Sequence, residues 1–149
     1  MTTANTKLKL TADQTFGAFF NEAHLFGIIA PQKQYQLCWQ INRLLGMNFR
    51  LNSELEALIK KKEKYCFFQI YEFTEPIRYT FHYIYGNHYK GEYLIPELKH
   101  IDYIWLLKGD FYQQEEINLL INDIRKLDGV QMVMHLQVSE IKSRANLII

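Results

Sequence analysis

Gly91-Glu92-Tyr93-Leu94-Ile95-Pro96-Glu97-Leu98-Lys99-His100-Ile101-Asp102-Tyr103-Ile104-Trp105-Leu106-Leu107-Lys108-Gly109 is the stretch whose reading decides the fold. It opens at a glycine and passes a proline, which removes one backbone donor and fixes one torsion. It then enters an apolar run that stops at Lys108-Gly109. From Ile101 to Leu107 apolar side chains occupy both parities, which predicts a central strand covered on both faces. The segment around Pro96 predicts a positioned loop feeding that strand. It holds no Gly-rich phosphate loop, no metal-ligand spacing and no nucleophile elbow.

Upstream, Tyr65 to Phe73 is β-branched and aromatic, and Thr74-Glu75-Pro76 ends it with turn chemistry. Ile77, Tyr79, Phe81, Tyr83 and Tyr85 then alternate with Arg78, Thr80, His82 and Ile84, predicting a half-buried strand and, with its predecessor, an antiparallel hairpin. Asn48 to Lys64 is open to two readings. Ser53 and Glu56 have capping-box spacing ahead of Leu58 and Ile59, which favours a helix, whereas a meander favours a strand from about Glu54 to Ile59; the strand is preferred. Leu37, Cys38, Ile41, Leu44 and Leu45 fall at helical spacing over Gln34 to Leu45, with Gly46 as C-terminal cap and Trp39 at the margin of the buried face. The run His24 to Ala30, closed by Pro31, predicts a strand. Lys7-Leu8-Lys9-Leu10 predicts a short edge strand, and residues 1–6 a frayed end.

Downstream, Ile117, Leu120, Ile121, Ile124 and Leu127 stripe a helix from about Gln113 to Leu127, with acids early and bases late as the helix dipole prefers. Val130 to Val138 alternates as a strand, and the apolar tail 141–149 is expected to pack back onto the body. One-faced helices and antiparallel strands together predict a single α+β domain over 1–149. The expected form is a two-layer sandwich, its mainly antiparallel sheet carrying two amphipathic helices on one face, ferredoxin-like with added strands.

Composition narrows the function classes. Apolar residues make up 48% and charged residues 22%, which excludes a disordered chain, and 149 residues suit one domain. Aromatics reach 15%, which fits a sheet core or a face on which flat groups stack. The net charge of +1 lacks the basic excess of a dedicated nucleic-acid binder, although Lys60-Lys61-Lys62-Glu63-Lys64 is a local positive cluster. Cys38 and Cys66, both in apolar surroundings, predict buried thiols in a reducing compartment rather than a disulfide. Without an apolar signal core or a span-length apolar run, the cytoplasm is the expected location and the membrane is not an expected partner.

Candidate chemistry is sparse. His24, His82, His88, His100 and His135 share no ligand spacing, so no metal is expected, and no cofactor motif is present. Glu97 and Asp102 are expected to anchor the Pro96 loop through main-chain hydrogen bonds; as an acid–base pair they would need a shared pocket. Lys142-Ser143-Arg144-Ala145-Asn146 is a polar island that either closes a C-terminal turn against those acids or presents Arg144 to an anion. Ser143 has no base partner in view.

Ile95-Pro96-Glu97, three intervening residues and Ile101-Asp102-Tyr103 resemble the motif that names the IPExxxVDY family, with isoleucine at Ile101 where the name has valine. Leu37-Cys38-Trp39 with Asn42, the Lys108-Gly109 strand end, and Lys142-Ser143-Arg144 near Asn146-Leu147 also resemble that family's pattern. The resemblance spans most of the chain. It implies a bacterial ancestry in the Bacteroidota and a cytoplasmic compartment, and it supplies no catalytic residue.

The combined reading is a small non-catalytic module that binds another protein or a second copy of itself. Its interaction residues are expected at the motif (Pro96, Glu97, Asp102, Tyr103, Lys108, Arg144) and on an aromatic face formed by Tyr79, Tyr83 and Tyr85. Two alternatives remain: RNA binding through sheet aromatics and the Lys60 to Lys64 cluster, and an enzyme built on Glu97, Asp102 and Arg144.

Overall fold

The computed structural model describes residues 17–61 and 63–149. The readings made for residues 1–6 and for Lys7 to Leu10 lie outside the described residues. The elements are β1 (Ala23–Ile29), α1 (Gln34–Leu45), β2 (Arg50–Lys61), β3 (Lys64–Glu75), β4 (Thr80–Gly86), β5 (His88–Tyr89), β6 (Glu92–Tyr93), β7 (Tyr103–Lys108), α2 (Gln114–Arg125) and β8 (Met132–Leu136). Short 3-10 turns lie at Pro96–Leu98, Val138–Glu140 and Arg144–Leu147. The chain is α+β. Six strands form one sheet in the order β2-β3-β4-β7-β1-β8, each neighbour antiparallel to the next, and β5 pairs with β6 in a separate ribbon.

Local chemistry sets the helix ends. The Gln36 side chain accepts the Lys33 N–H at 3.0 Å, satisfying one orphan donor at the start of α1, and Gly46 closes the helix at φ 66°. Glu116 does the same for the Gln113 N–H at 3.0 Å ahead of α2. The buried residues of α1 (Leu37, Cys38, Ile41) and of α2 (Ile117, Leu120, Ile121, Ile124) join one apolar cluster with Phe26, Ile28, Ile84, Trp105, Leu107 and Val133 of the sheet. A second cluster gathers the strand residues of opposite parity, Leu25, Ile70, Tyr85, Ile104 and Leu106, beneath Leu94, Ile95, Ile101, Ile141 and Leu147. Strand β7, buried on both sides between β4 and β1, therefore belongs to both.

Gly27 makes room for the second cluster. A Cβ there would lie 2.5 Å from Cδ1 of Ile101, so the bare glycine lets the motif loop close onto β1.

Several expectations need correction. The strand expected from Ile77 starts at Thr80, and residues 76–79 form a turn in which Tyr79 has φ 48°. Thr80, His82 and Ile84 are fully buried, while Ile77 and Tyr79 stand in solvent, because pairing with β7 places His82 beside Leu107 and Ile84 beside Trp105 on the helix side. Trp39, expected to be partly covered, is 61% exposed. The segment for which a strand is preferred to a helix is a strand, β2, longer than the expected Glu54 to Ile59 and with an irregular register between Leu51 and Glu56.

Candidate functional site

The motif corner is organised by a residue that the sequence reading passed over. Asn87, fully buried just after β4, donates from its side-chain amide to the carbonyls of Leu98 and Ile101, each at 2.9 Å, and accepts the Ile95 N–H at 2.8 Å. Its backbone N–H reaches the Asp102 carbonyl, and its own carbonyl accepts the Leu94 N–H. One amide thus satisfies the turns on both sides of Pro96, whose ring opens the 3-10 turn. An asparagine beside a glycine reads as ordinary loop chemistry, so nothing local marked it.

The two motif acids face different segments. Glu97 accepts the Ser143 N–H at 2.6 Å and the Ser143 hydroxyl at 2.9 Å. Burial acts to raise its pKa, but these bonds, one from its own backbone and the charge of Lys142 hold the carboxyl below the usual range. Asp102 accepts the Ala30 N–H at 2.9 Å through Oδ2, and its Oδ1 lies 3.5 Å from Nε2 of His88. Tyr103 donates its hydroxyl to the Gln32 carbonyl, and burial, then the Asp102 charge, pushes the phenol up to about 12.

The tail is tied by the same corner. Asn146 donates to the Leu94 carbonyl at 2.8 Å, and the Tyr85 hydroxyl donates to the Leu147 carbonyl at 2.6 Å. Arg144 donates to the Ile141 carbonyl at 3.0 Å, and the Lys108 ammonium sits 4.5 Å above the Phe19 ring. Asp102 lines a cleft of about 420 Å³ with His88, Gln34 and Gln69, while Glu97 and Arg144 are engaged with the C-terminal segment. The proposed acid–base pair, Glu97 and Asp102, and Arg144 therefore do not converge on that cleft.

Of the aromatic residues singled out, Tyr83 and Tyr85 share the face of β4 that packs against the second cluster, and Tyr79 lies outside the strand. Tyr79 is 77% exposed in its turn, Tyr83 is half-buried, and Tyr85 is buried beneath the tail. A different aromatic pair is turned outward. Tyr35 and Trp39, one turn apart on α1, are 56% and 61% exposed and line a mainly apolar groove of about 900 Å³ with Pro31, Gln36, Gln40 and Gly129. Arg43 stacks on Trp39 at 5.3 Å. The available signal was position: Tyr35 and Trp39 accompany Gln36, Gln40 and Arg43 on the side of α1 away from Leu37, Cys38 and Ile41.

Two further clusters lie away from the motif corner and the groove. Trp105 Nε1 donates to Nδ1 of buried His82 at 3.0 Å, the Tyr112 hydroxyl donates to Oε1 of Glu75 at 2.9 Å, and Nε2 of His82 lies 3.7 Å from that same oxygen. Glu75, Arg78 and Tyr112 border a cleft of about 670 Å³. At the β2–β3 tip, Lys60 stacks on Tyr65 and, nearby, Lys90 on Tyr89. Among the described residues no group of three His, Cys, Asp or Glu side chains is gathered as metal ligands, and no helix is long and apolar enough to cross a membrane.

No family model, no curated protein and no solved structure matches the chain.

Proposed function

We propose that the protein is a binding module whose main contact surface is the groove between α1 and Gly129, and that its partner is an apolar segment of another protein. The observation that carries this reading is the outward placement of Tyr35 and Trp39 beside an apolar groove of about 900 Å³. Aromatic side chains supply large contact area at low entropic cost, and Trp and Tyr are enriched at the energetic centres of interfaces. The motif residues Pro96, Glu97, Asp102 and Tyr103 act in this reading as scaffolding, because each of the three polar side chains is spent on a main-chain group.

The strand order β4-β7-β1-β8, with α1 following β1 and α2 following β7, supports a ferredoxin-like core to which β2 and β3 are added. Packing of both helices into one cluster supports the two-layer description. Free, buried Cys38 and Cys66 support a reducing, cytoplasmic setting. Kinship with the IPExxxVDY family is proposed from the motif residues Ile95-Pro96-Glu97 and Ile101-Asp102-Tyr103 alone.

A photo-reactive residue placed at Gln36 in the full-length chain tests the groove in its native cell. The expected result is a cross-link to a defined segment of one protein, lost with Trp39→Ala although the circular dichroism spectrum is unchanged. Cross-linking that is absent, or indifferent to Trp39, would falsify the groove as the binding surface.

A further inference from the structure

The edge strand β2 carries a pattern that the groove does not explain. It stands last in the sheet, so one of its edges meets no strand among the described residues. Strand β4 pairs only with Ile70 to Glu75 of β3, which leaves Glu56–Lys61 of β2 and Lys64–Gln69 of β3 as a two-stranded projection. An isolated two-stranded ribbon is marginal in water, and an open edge is a template for another strand. One face of the projection is anchored, since Ala57, Cys66 and Phe68 are buried in the second cluster. On the other face Leu58 is 54% exposed and directly opposes Phe67, which is 41% exposed.

The exposed side chains of this segment are Glu56, Leu58 and Lys60, and that order is complementary to itself. An antiparallel pairing of two identical strands about a two-fold axis normal to the sheet must set some residue opposite its own copy. With Leu58 opposite Leu58, Glu56 falls opposite Lys60 at both ends and Ala57 falls opposite Ile59. The alternatives centred on Glu56 or Lys60 oppose like charges, and those centred on Ala57 or Ile59 set a charge against Leu58. Cross-strand pairs of opposite charge are favourable and like-charge pairs unfavourable, so the pattern selects one register.

We propose that two copies of this chain associate through β2, antiparallel and with Leu58 at the two-fold axis, joining two six-stranded sheets into one. The projection gains its missing neighbour, and Leu58 and Phe67 of each copy form a shared apolar strip across the junction. This edge is at the far end of the sheet from β8, which follows Gly129 of the groove, so the two binding readings stand or fall separately.

Sedimentation equilibrium of the full chain over a wide concentration range tests the inference. The wild type is expected to dimerise. Glu56→Lys and Lys60→Glu should each weaken the dimer about tenfold or more by turning two attractive pairs repulsive, and the double reversal should restore it. Leu58→Cys should cross-link copies on mild oxidation, because directly opposed Cα atoms in an antiparallel pair, about 4.5–5.5 Å apart, are within disulfide reach. A wild type that stays monomeric throughout overturns the proposal, as does a dimer that both single reversals leave unchanged. A monomer that binds a single-stranded oligonucleotide with salt-sensitive affinity, weakened by Lys60→Glu, would reassign the same strip to nucleic acid and overturn it too.

Discussion

Trp105 donates its indole N–H to Nδ1 of His82 at 3.0 Å, across neighbouring strands and with both side chains fully buried. The bond requires Nδ1 to be the acceptor, so a neutral ring carries its proton on Nε2, which faces Oε1 of Glu75 at 3.7 Å. The imidazole also stacks on Phe73 at 5.4 Å and meets Phe49 and Tyr112 edge-on. One donor from β7 thus satisfies Nδ1 of this buried ring, whereas Nε2 has no hydrogen-bond partner among the described residues.

Trp105→Phe strands that nitrogen in the core. The expected loss is about 1–3 kcal/mol from the unpaired acceptor, with a further cost for the volume removed. Urea denaturation measures it. Nitrogen shifts of His82 in the wild type should report the Nε2–H form, and a proton found on Nδ1 would refute the hydrogen-bond assignment.

Glu75 predicts an acid dependence. Burial acts to raise its pKa, but the facing Nε2 of His82, the hydrogen bond from Tyr112 and the charge of Arg78 bring it below the ordinary value of 4.5. A carboxyl depressed in the folded state adds stability above the unfolded pKa and loses it as pH falls through the folded value. Tyr112→Phe removes one of the depressing bonds, so less stability should be lost on acidification, and less should be present at neutral pH. Denaturation midpoints from pH 7 down to pH 3 check the sign.

The tyrosines predict the opposite limb. Burial pushes Tyr103 and Tyr112 up to about 12, in each case helped by a neighbouring carboxylate. Their contribution is fully present below the unfolded value near 10 and declines as pH rises toward 12. Tyr103→Phe should flatten that decline, read as melting temperature against pH between 9 and 12.

Asn87→Ala removes three side-chain hydrogen bonds at once and leaves the carbonyls of Leu98 and Ile101 and the N–H of Ile95 without that partner. With each buried orphan costing on the order of 1–3 kcal/mol, the variant should lose at least about 3 kcal/mol or fail to fold. Asn87→Asp should be nearly as damaging, because a carboxylate cannot donate to two carbonyls. Amide exchange at Ile95 and Ile101 provides the local readout.

Gly27→Ala should cost about 1–3 kcal/mol, since its Cβ would stand 2.5 Å from Cδ1 of Ile101. Ile101→Val in the same chain removes the clashing methyl and should return part of the loss. Additive losses in a double-mutant cycle would contradict the contact.

The sequence was readable where a single periodicity ruled. Helix α1 has the bounds that its apolar spacing predicts, and β7 is central because its side chains are apolar at both parities. Strand β4 misled because its buried face carries Thr80 and His82, and their tolerance depends on contacts with residues far along the chain. Local apolarity instead drew Ile77 and Tyr79 into a strand they do not join. At the motif, Glu97 and Asp102 could be singled out, and the polar island that Glu97 holds at Ser143, 46 residues away, was one of two readings, but the Ala30 segment that Asp102 holds, 72 residues away, was not legible. The groove was hidden because an aromatic side chain in a helix is ordinarily read as core, although the spacing of α1 already sets Tyr35 and Trp39 opposite Leu37, Cys38 and Ile41.

Strand β1 lies between β7 and β8 and has no neighbour near it in sequence. During synthesis, Leu25, Phe26 and Ile28 must therefore wait, with both strand edges open, for partners made much later. Such distant pairing slows folding and exposes sticky intermediates. Refolding from denaturant should accordingly be slow and fall in yield with concentration, and chaperones that shield newborn chains should improve recovery more than they would for a bundle of locally paired helices.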